Sequence, residues 1–205
     1  MLKHPEKLAW LVLGGVFVLI SVMFFKSRPQ GPPLPVFGQV TPFHLTNQNG
    51  VAVSSIDLAN QIWVSDVIFT RCPLQCLLLS KKMKLLQDKL AGESGVKFVS
   101  LTTDPGYDSP KIFNEYAKRF QADSNRWLFL TGPLADLRRL QISELKFVVK
   151  DNPADLQTSA NDLFVHSTNF ILVDGKGRAR ATFDTEEADF QERIVNAIRQ
   201  LKREK

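Results

Sequence analysis

The stretch Ile62-Trp63-Val64-Ser65-Asp66-Val67-Ile68-Phe69-Thr70-Arg71-Cys72-Pro73-Leu74-Gln75-Cys76 decides how this chain of 205 residues is read. Ile62 to Phe69 is aromatic and β-branched, which predicts a central strand. The period then changes, with Leu79, Met83, Leu86 and Leu90 at helical spacing and Lys81, Lys82 and Lys84 off the stripe. Pro73 suits a helix start, because a first-turn residue has no N–H bond to lose. Cys72 and Cys76 are the two cysteines of the chain, and both fall at this strand-to-helix junction. A disulfide framework would need more pairs, spread along the sequence. A close pair at such a turn points to metal ligation or thiol–disulfide chemistry. Two small buried core residues are the plain alternative.

Working outward, Gly92 and Gly95 close the helix, and Val96 to Thr102 alternates as the next strand. Asp108-Ser109-Pro110 starts a helix running to about Phe120. Trp127 to Leu130 reads as a third strand and Pro133 to Leu140 as a short helix. Phe147 to Val149 and Phe164 to Val165 flank a polar stretch with Asn152-Pro153. Asn169 to Val173 leads through the turn Asp174-Gly175-Lys176-Gly177 into the returning strand Arg178 to Phe183, and Glu187 to Lys202 is an amphipathic helix. Upstream, Phe37 to Val40 and Phe43 to Thr46 precede Asn49-Gly50, a two-residue hairpin signal. The order predicts an α/β fold, a thioredoxin-like mixed sheet flanked by helices.

Hydrophobic content of 44% is ordinary for a globular domain, and the net charge of +5 is modest. The basic end Arg199 to Lys205 reads as a solvated helix terminus, and no phosphate loop or basic–aromatic RNA-binding motif is present, so nucleic acid is not an expected partner. Leu8 to Phe25 is uncharged and largely aliphatic, about 18 residues, the lower end of what spans a bilayer as a helix. A cleaved signal peptide is the rival, but Ser21-Val22-Met23-Phe24-Phe25 lacks an A-x-A-like site. Residues 1–26 are therefore expected to be an uncleaved transmembrane signal anchor. Residues 27–35, rich in proline, should form a semi-rigid spacer, and 36–205 the thioredoxin-like domain. Lys/Arg are balanced on the two flanks, so orientation leans on the α-amino charge and on the translocation of long C-terminal domains, which favour an N-in arrangement.

In a regular helix, residues four apart hold their Cβ atoms ~5–6 Å apart. A disulfide needs ~3.8 Å. The longer separation suits two thiolates converging on one soft ion, and a cysteine in the loop keeps a disulfide within reach. Cys76, near a helix N-terminus, should have a lowered pKa, with Arg71 adding to that effect. A selective metal site wants a third ligand, and the histidines are His4, His44 and His166. His4 precedes the membrane segment and His44 sits in the opening hairpin. His166 lies just before a strand, where a distant residue can reach a cysteine loop. Spacing alone leaves its role open.

Five elements in order carry a resemblance: Phe69-Thr70-Arg71-Cys72-Pro73-x-x-Cys76; Ser100-Leu101-Thr102-Thr103-Asp104-Pro105; Asp108-Ser109-Pro110; Trp127-Leu128-Phe129-Leu130-Thr131-Gly132; and His166-Ser167 before Phe170-Ile171-Leu172-Val173-Asp174. Together, over roughly residues 36–200, they resemble the SCO1/SenC family of copper-binding proteins. The resemblance implies a thioredoxin-like fold and one copper ion held by Cys72, Cys76 and His166, a set that matches copper's preference for thiolate plus imidazole. Asp104 falls at the family's Asp-Pro, as a partner of the ligands or as a turn cap. Two departures stand out: Leu77 follows the second cysteine where proline is usual, and Leu74-Gln75 replace more polar residues inside the motif.

The implied function is assembly of the binuclear copper centre of cytochrome c oxidase, as metallochaperone and/or thiol reductant. Its partners would be the oxidase's copper-accepting subunit and other copper or thiol carriers. The expected location is a bacterial-type inner membrane, single-pass, with the domain on the periplasmic side or an equivalent non-cytoplasmic face. The competing reading is a metal-independent, membrane-anchored thiol–disulfide oxidoreductase using the same Cys72 and Cys76 as a redox-active pair. Its usual motif has two intervening residues rather than three, which counts mildly against it. A peroxidase lacks its motif here, and a closed zinc site would want a fourth ligand.

Overall fold

Every residue of the strand Ile62–Ile68 is buried, as required of a strand covered on both faces. In the computed structural model, which describes residues 5–27, 32–153, 155, 157 and 163–204, the strands are β1 Gly38–Gln39, β2 His44–Thr46, β3 Ala52–Ser54, β4 Ile62–Ile68 and β5 Val96–Thr102. They continue with β6 Trp127–Leu130, β7 Val149–Asp151, β8 Phe164–His166, β9 Asn169–Val173 and β10 Arg178–Asp184. The helices are α1 Pro5–Ser27, α2 Gln75–Lys89, α3 Pro110–Arg119, α4 Leu134–Arg138 and α5 Phe190–Arg203. The chain divides into two units, Leu34–Ile198 and a second made of Met1–Pro33 with Arg199–Lys205.

The main sheet has six strands in the order β1-β10-β9-β4-β5-β6. β4, β5 and β6 run parallel, β9 is antiparallel to β4, and β10 and β1 continue antiparallel. This is the expected thioredoxin-like mixed sheet, with β4 inside it. Alternation along the strands sorts the core into two layers. Trp63, Val67, Val99, Leu101, Ile171 and Val173 join one cluster with Phe43, Leu45 and Leu137. On α3 Phe113 and Tyr116 meet Phe129 of β6 at ring distances of 5.6 and 5.9 Å, and Trp127 stacks on Phe129 at 4.8 Å. Ser109 caps α3 by accepting the Ile112 N–H, with Pro110 following in the first turn.

Several local expectations change. The segment at Phe37–Val40 does not pair with its neighbour in sequence; β1 joins the far edge of β10. Gly38 is needed there, because a Cβ would lie 1.9 Å from the Glu144 carbonyl oxygen. β2 and β3 do form a hairpin, but the loop is longer than two residues: the Asn47 side chain accepts the N–H groups of Asn49 and Val51, and Gly50 takes φ 75°. The helix expected to reach Leu140 ends at Arg138 and continues as a π-helical turn, Arg139–Glu144. The last helix starts at Phe190, three residues later than the apolar pattern suggests.

Among the described residues, no helix is long and apolar enough to cross a membrane. Within α1, the described side chains of Trp10, Phe17, Leu19 and Met23 are exposed. Residues 28–31 of the expected spacer, and His4, lie outside the described residues.

Candidate functional site

Cys72 lies in the loop between β4 and α2, tied back by its N–H to the Phe69 carbonyl at 3.2 Å. Cys76 sits in the first turn of α2. That helix opens on Leu74, which offers no capping side chain. The Cys72 sulfur takes the place of a cap, accepting the Cys76 N–H at 3.3 Å. The Phe69 N–H in turn points at Cys76 Sγ, 3.4 Å away. Both cysteines are free and buried, Cys76 completely and Cys72 to within 6%. Cys72 is therefore the sulfur nearer solvent.

The antiparallel pair β7–β8 ends at His166, opposite Val149. Its ring packs edge-on against Phe69, centroids 5.8 Å apart. Nε2 lies 3.3 Å from Cys76 Sγ, and Nδ1 lies 3.1 Å from the Ser167 carbonyl oxygen. A carbonyl oxygen only accepts, so Nδ1 carries a proton, and in the neutral ring it is Nε2 that presents a lone pair to the sulfur. That is the tautomer a metal-binding histidine needs. The structure thus brings Cys72, Cys76 and His166 together. Among the described residues, no three His, Cys, Asp or Glu side chains are already gathered as a metal cage. Cys76 meets the imidazole, and Cys72 meets Cys76 through the backbone.

The two sulfurs share their protons unequally. The Cys76 side chain beside it holds the Cys72 thiol far below its usual range against the opposing effect of burial, with help from His166 and the Cys76 and Leu74 N–H groups. Cys76 is pushed up by the Cys72 side chain and by its complete burial. The expectation that Cys76 would be the activated thiol is corrected: Cys72 receives the amide donor, and Cys76 keeps the proton.

Asp104 does not touch a ligand. It accepts from Arg71 Nε at 3.0 Å and Nη2 at 2.5 Å, while the same guanidinium lies over the Tyr107 ring at 4.5 Å. Its contact is with the residue preceding Cys72, and its N–H is itself taken by Thr102 Oγ1. His44 is exposed in β2, opposite Ser54. Two acids were invisible as site residues in the sequence. Asp108 accepts the Thr70 N–H at 3.2 Å and the hydroxyls of Thr70 and Thr102. Its sequence signals are a place ahead of Ser109-Pro110 and membership in one element of the family resemblance. Asp66, fully buried in β4, has neither carboxylate oxygen hydrogen-bonded among the described residues, and burial pushes it up to about 7 despite the nearby Ser100 hydroxyl and His166. The departures Leu74 and Leu77 lie beside the pair, Leu74 exposed and Leu77 half-buried.

A family model described as SCO1/SenC matches residues 36–203. The SCO1 protein homolog of Bacillus subtilis (strain 168) is 28% identical over 167 residues, spanning 80% of this chain and 83% of that protein. The solved structure of BsSco, a member of the Sco family of cytochrome c oxidase assembly proteins in which a disulfide switch was identified, shares 27% identity at a TM-score of 0.70. It covers 84% of this chain and 99% of its own. Bradyrhizobium japonicum ScoI, solved with copper bound, shares the fold at a TM-score of 0.62 and 24% identity, covering 82% and 98%. With a matched span that takes in the cysteine loop, the acidic loop and His166, the chain belongs to the SCO1/SenC family.

Proposed function

We propose that this protein binds one copper ion through Cys72, Cys76 and His166 and passes it to the copper-accepting subunit of cytochrome c oxidase during assembly of the binuclear centre. The observation that carries the reading is the contact between Cys76 Sγ and His166 Nε2, 3.3 Å, with the Cys72 sulfur one backbone bond away. Two sulfurs and an unprotonated imidazole nitrogen suit a soft ion. Copper is the cargo. The protein's own contribution is to hold Cys72 ready as thiolate, to keep Cys76 dry, and to aim Nε2. Loading displaces the Cys76 proton, and transfer proceeds by exchange with incoming thiolates at the more accessible Cys72. The family relative solved with copper bound supports the choice of metal.

The test is copper titration of the detergent-solubilised full chain against a competing chelator, with Cys72→Ala, Cys76→Ala and His166→Ala variants. Binding of one equivalent, weakened in all three variants, is expected. Unchanged affinity in His166→Ala overturns the three-ligand site.

A second role, thiol reduction, is favoured by the asymmetry of the pair: an amide-stabilised Cys72 nearest solvent and a buried Cys76 form an attacking and a resolving thiol. The disulfide switch identified in BsSco supports it. Residues 1–26 serve in this reading as a membrane anchor that leaves the domain on the periplasmic side. The support is the uncharged run Leu8 to Phe25 and the exposed apolar side chains of α1. Retention in the membrane after alkaline extraction, with the domain protease-sensitive in spheroplasts, is expected; release as soluble protein overturns the anchor.

A further inference from the structure

Cys72 is an unusual helix cap, because the group that caps α2 is also the thiol that reacts. A sulfur that must exchange partners cannot be what fixes its own loop. The fixation comes from upstream, where Thr70 and Arg71 are both held by the connection between β5 and α3. Thr70 gives its N–H and its hydroxyl to the Asp108 carboxylate, and Arg71 gives its guanidinium to Asp104. These two acids belong to one turn: the N–H groups of Tyr107 and Asp108 both reach the Asp104 carbonyl, at 3.1 and 2.9 Å. The turn is anchored in the sheet, since Thr102 donates its hydroxyl to Asp108 and the Thr103 N–H pairs with Ile68 at the end of β4.

Asp108 is fully buried, with all three of its donors directed at one carboxylate. Arg71, by contrast, is more than a third exposed. Of the two holds on the loop, the buried one with a backbone donor is the stronger constraint, because burial removes water as a competing partner.

We propose that Asp108 is the positioning residue of the dithiol: by holding Thr70 it keeps Cys72 Sγ against the Cys76 N–H and so sets the balance between dithiol and disulfide. The inference rests on reading Cys72 and Cys76 as the exchanging pair. In the dithiol the Cys72 sulfur sits on the Cys76 N–H, 3.3 Å away. A disulfide needs the two Cβ atoms drawn to ~3.8 Å, and a loop held at Thr70 resists that movement. Positioning therefore favours the dithiol.

With glutathione disulfide as oxidant, the Cys72 thiolate attacks one glutathione sulfur and expels the other as a thiolate. Cys76 then loses its proton and displaces the second glutathione. One protein disulfide and two reduced glutathiones result, the two electrons having passed to glutathione. The experiment equilibrates the full-length protein in detergent with glutathione buffers at pH 7 and quantifies free thiols by alkylation and mass spectrometry. Asp108→Asn and Thr70→Val should raise the equilibrium constant for disulfide formation at least tenfold, about 30 mV for this two-electron couple. Thr70→Ser, which keeps the hydroxyl, should stay within threefold of the parent. Should Asp108→Asn fail to fold, the Thr70→Val and Thr70→Ser pair decides. A Thr70→Val constant equal to the parent's, or a Thr70→Ser constant displaced as far as that of Thr70→Val, overturns the positioning role and leaves the exchanging pair intact. A parent protein with no dithiol–disulfide transition overturns both.

Discussion

His166 Nε2 touches Cys76 Sγ at 3.3 Å across 90 positions of sequence. The contact depends on two short-range devices: the pairing of β8 with β7, which delivers the imidazole, and the first turn of α2, which delivers the sulfur. The imidazole is thus delivered by a strand end and the Cys76 sulfur by a helix turn, which fixes this contact from both sides.

A ligand bound only by the folded protein raises its melting temperature. Copper should therefore raise the transition of the parent chain and leave that of His166→Ala almost where it was. Calorimetry with and without one equivalent of copper checks this; an equal rise in both would remove His166 from the site.

Cys72 should alkylate ahead of Cys76, being nearer solvent and held as thiolate mainly by the Cys76 side chain beside it. Its depressed pKa means the reactive form survives well below the ordinary thiol range. In Cys76→Ala the largest cause of that depression is gone, so the pH–rate profile with iodoacetamide should move to higher pH. A profile that stays put would mean that the Cys76 side chain is not what lowers the Cys72 pKa.

Asp66 predicts an unusual pH effect on stability. Its folded pKa is raised by burial to about 7, above the unfolded value, so the folded state holds the extra proton. The stabilisation is complete below about pH 4 and is lost as pH rises towards 7. The full effect is on the order of 4 kcal/mol. Asp66→Asn, neutral throughout, should unfold at higher denaturant concentration than the parent at pH 8, with the gap closing at pH 4. No gap at pH 8 would count against an unpaired buried carboxylate.

At the β9–β10 turn the sign is opposite. Burial alone would raise the Asp174 pKa, but Arg178 and Arg180 lower it overall, with Arg180 Nη1 2.7 Å from the carboxylate and itself buried. Its contribution is present above the unfolded carboxylate range and fades as pH falls through the lower folded value. Asp174→Ala should cost about 3 kcal/mol at pH 7, because Arg180 is left buried without this partner. Chemical denaturation at pH 7 measures it, and a loss under about 1 kcal/mol would demote the pair to a surface contact.

The strands and helices from Ile62 to Leu130 were legible because each carries its own period, two or 3.6, and its own stop signals. The cysteine pair was legible for a different reason: scarcity and placement at a change of period. What could not be read was anything decided by a partner far along the chain. β1 chose β10 over its neighbour because an edge was open there and Gly38 could approach the Glu144 carbonyl. Asp104 stands out by its Asp-Pro context, yet its partner is Arg71, set by how two loops meet. Asp66 carried no signal at all inside an apolar run, and its burial follows from the sheet order alone.

That sheet order also has a temporal consequence. β9 lies between β4 and β10, and His166 is the last residue of the hairpin just before it. A chain emerging N-terminus first displays both sulfurs long before the imidazole exists, and the imidazole is seated only when late strands slot in beside β4. A half-made molecule therefore carries a thiol pair without the imidazole. If the proposed three-donor site holds, complete metal capture reports that the C-terminal third of the domain has been added and folded.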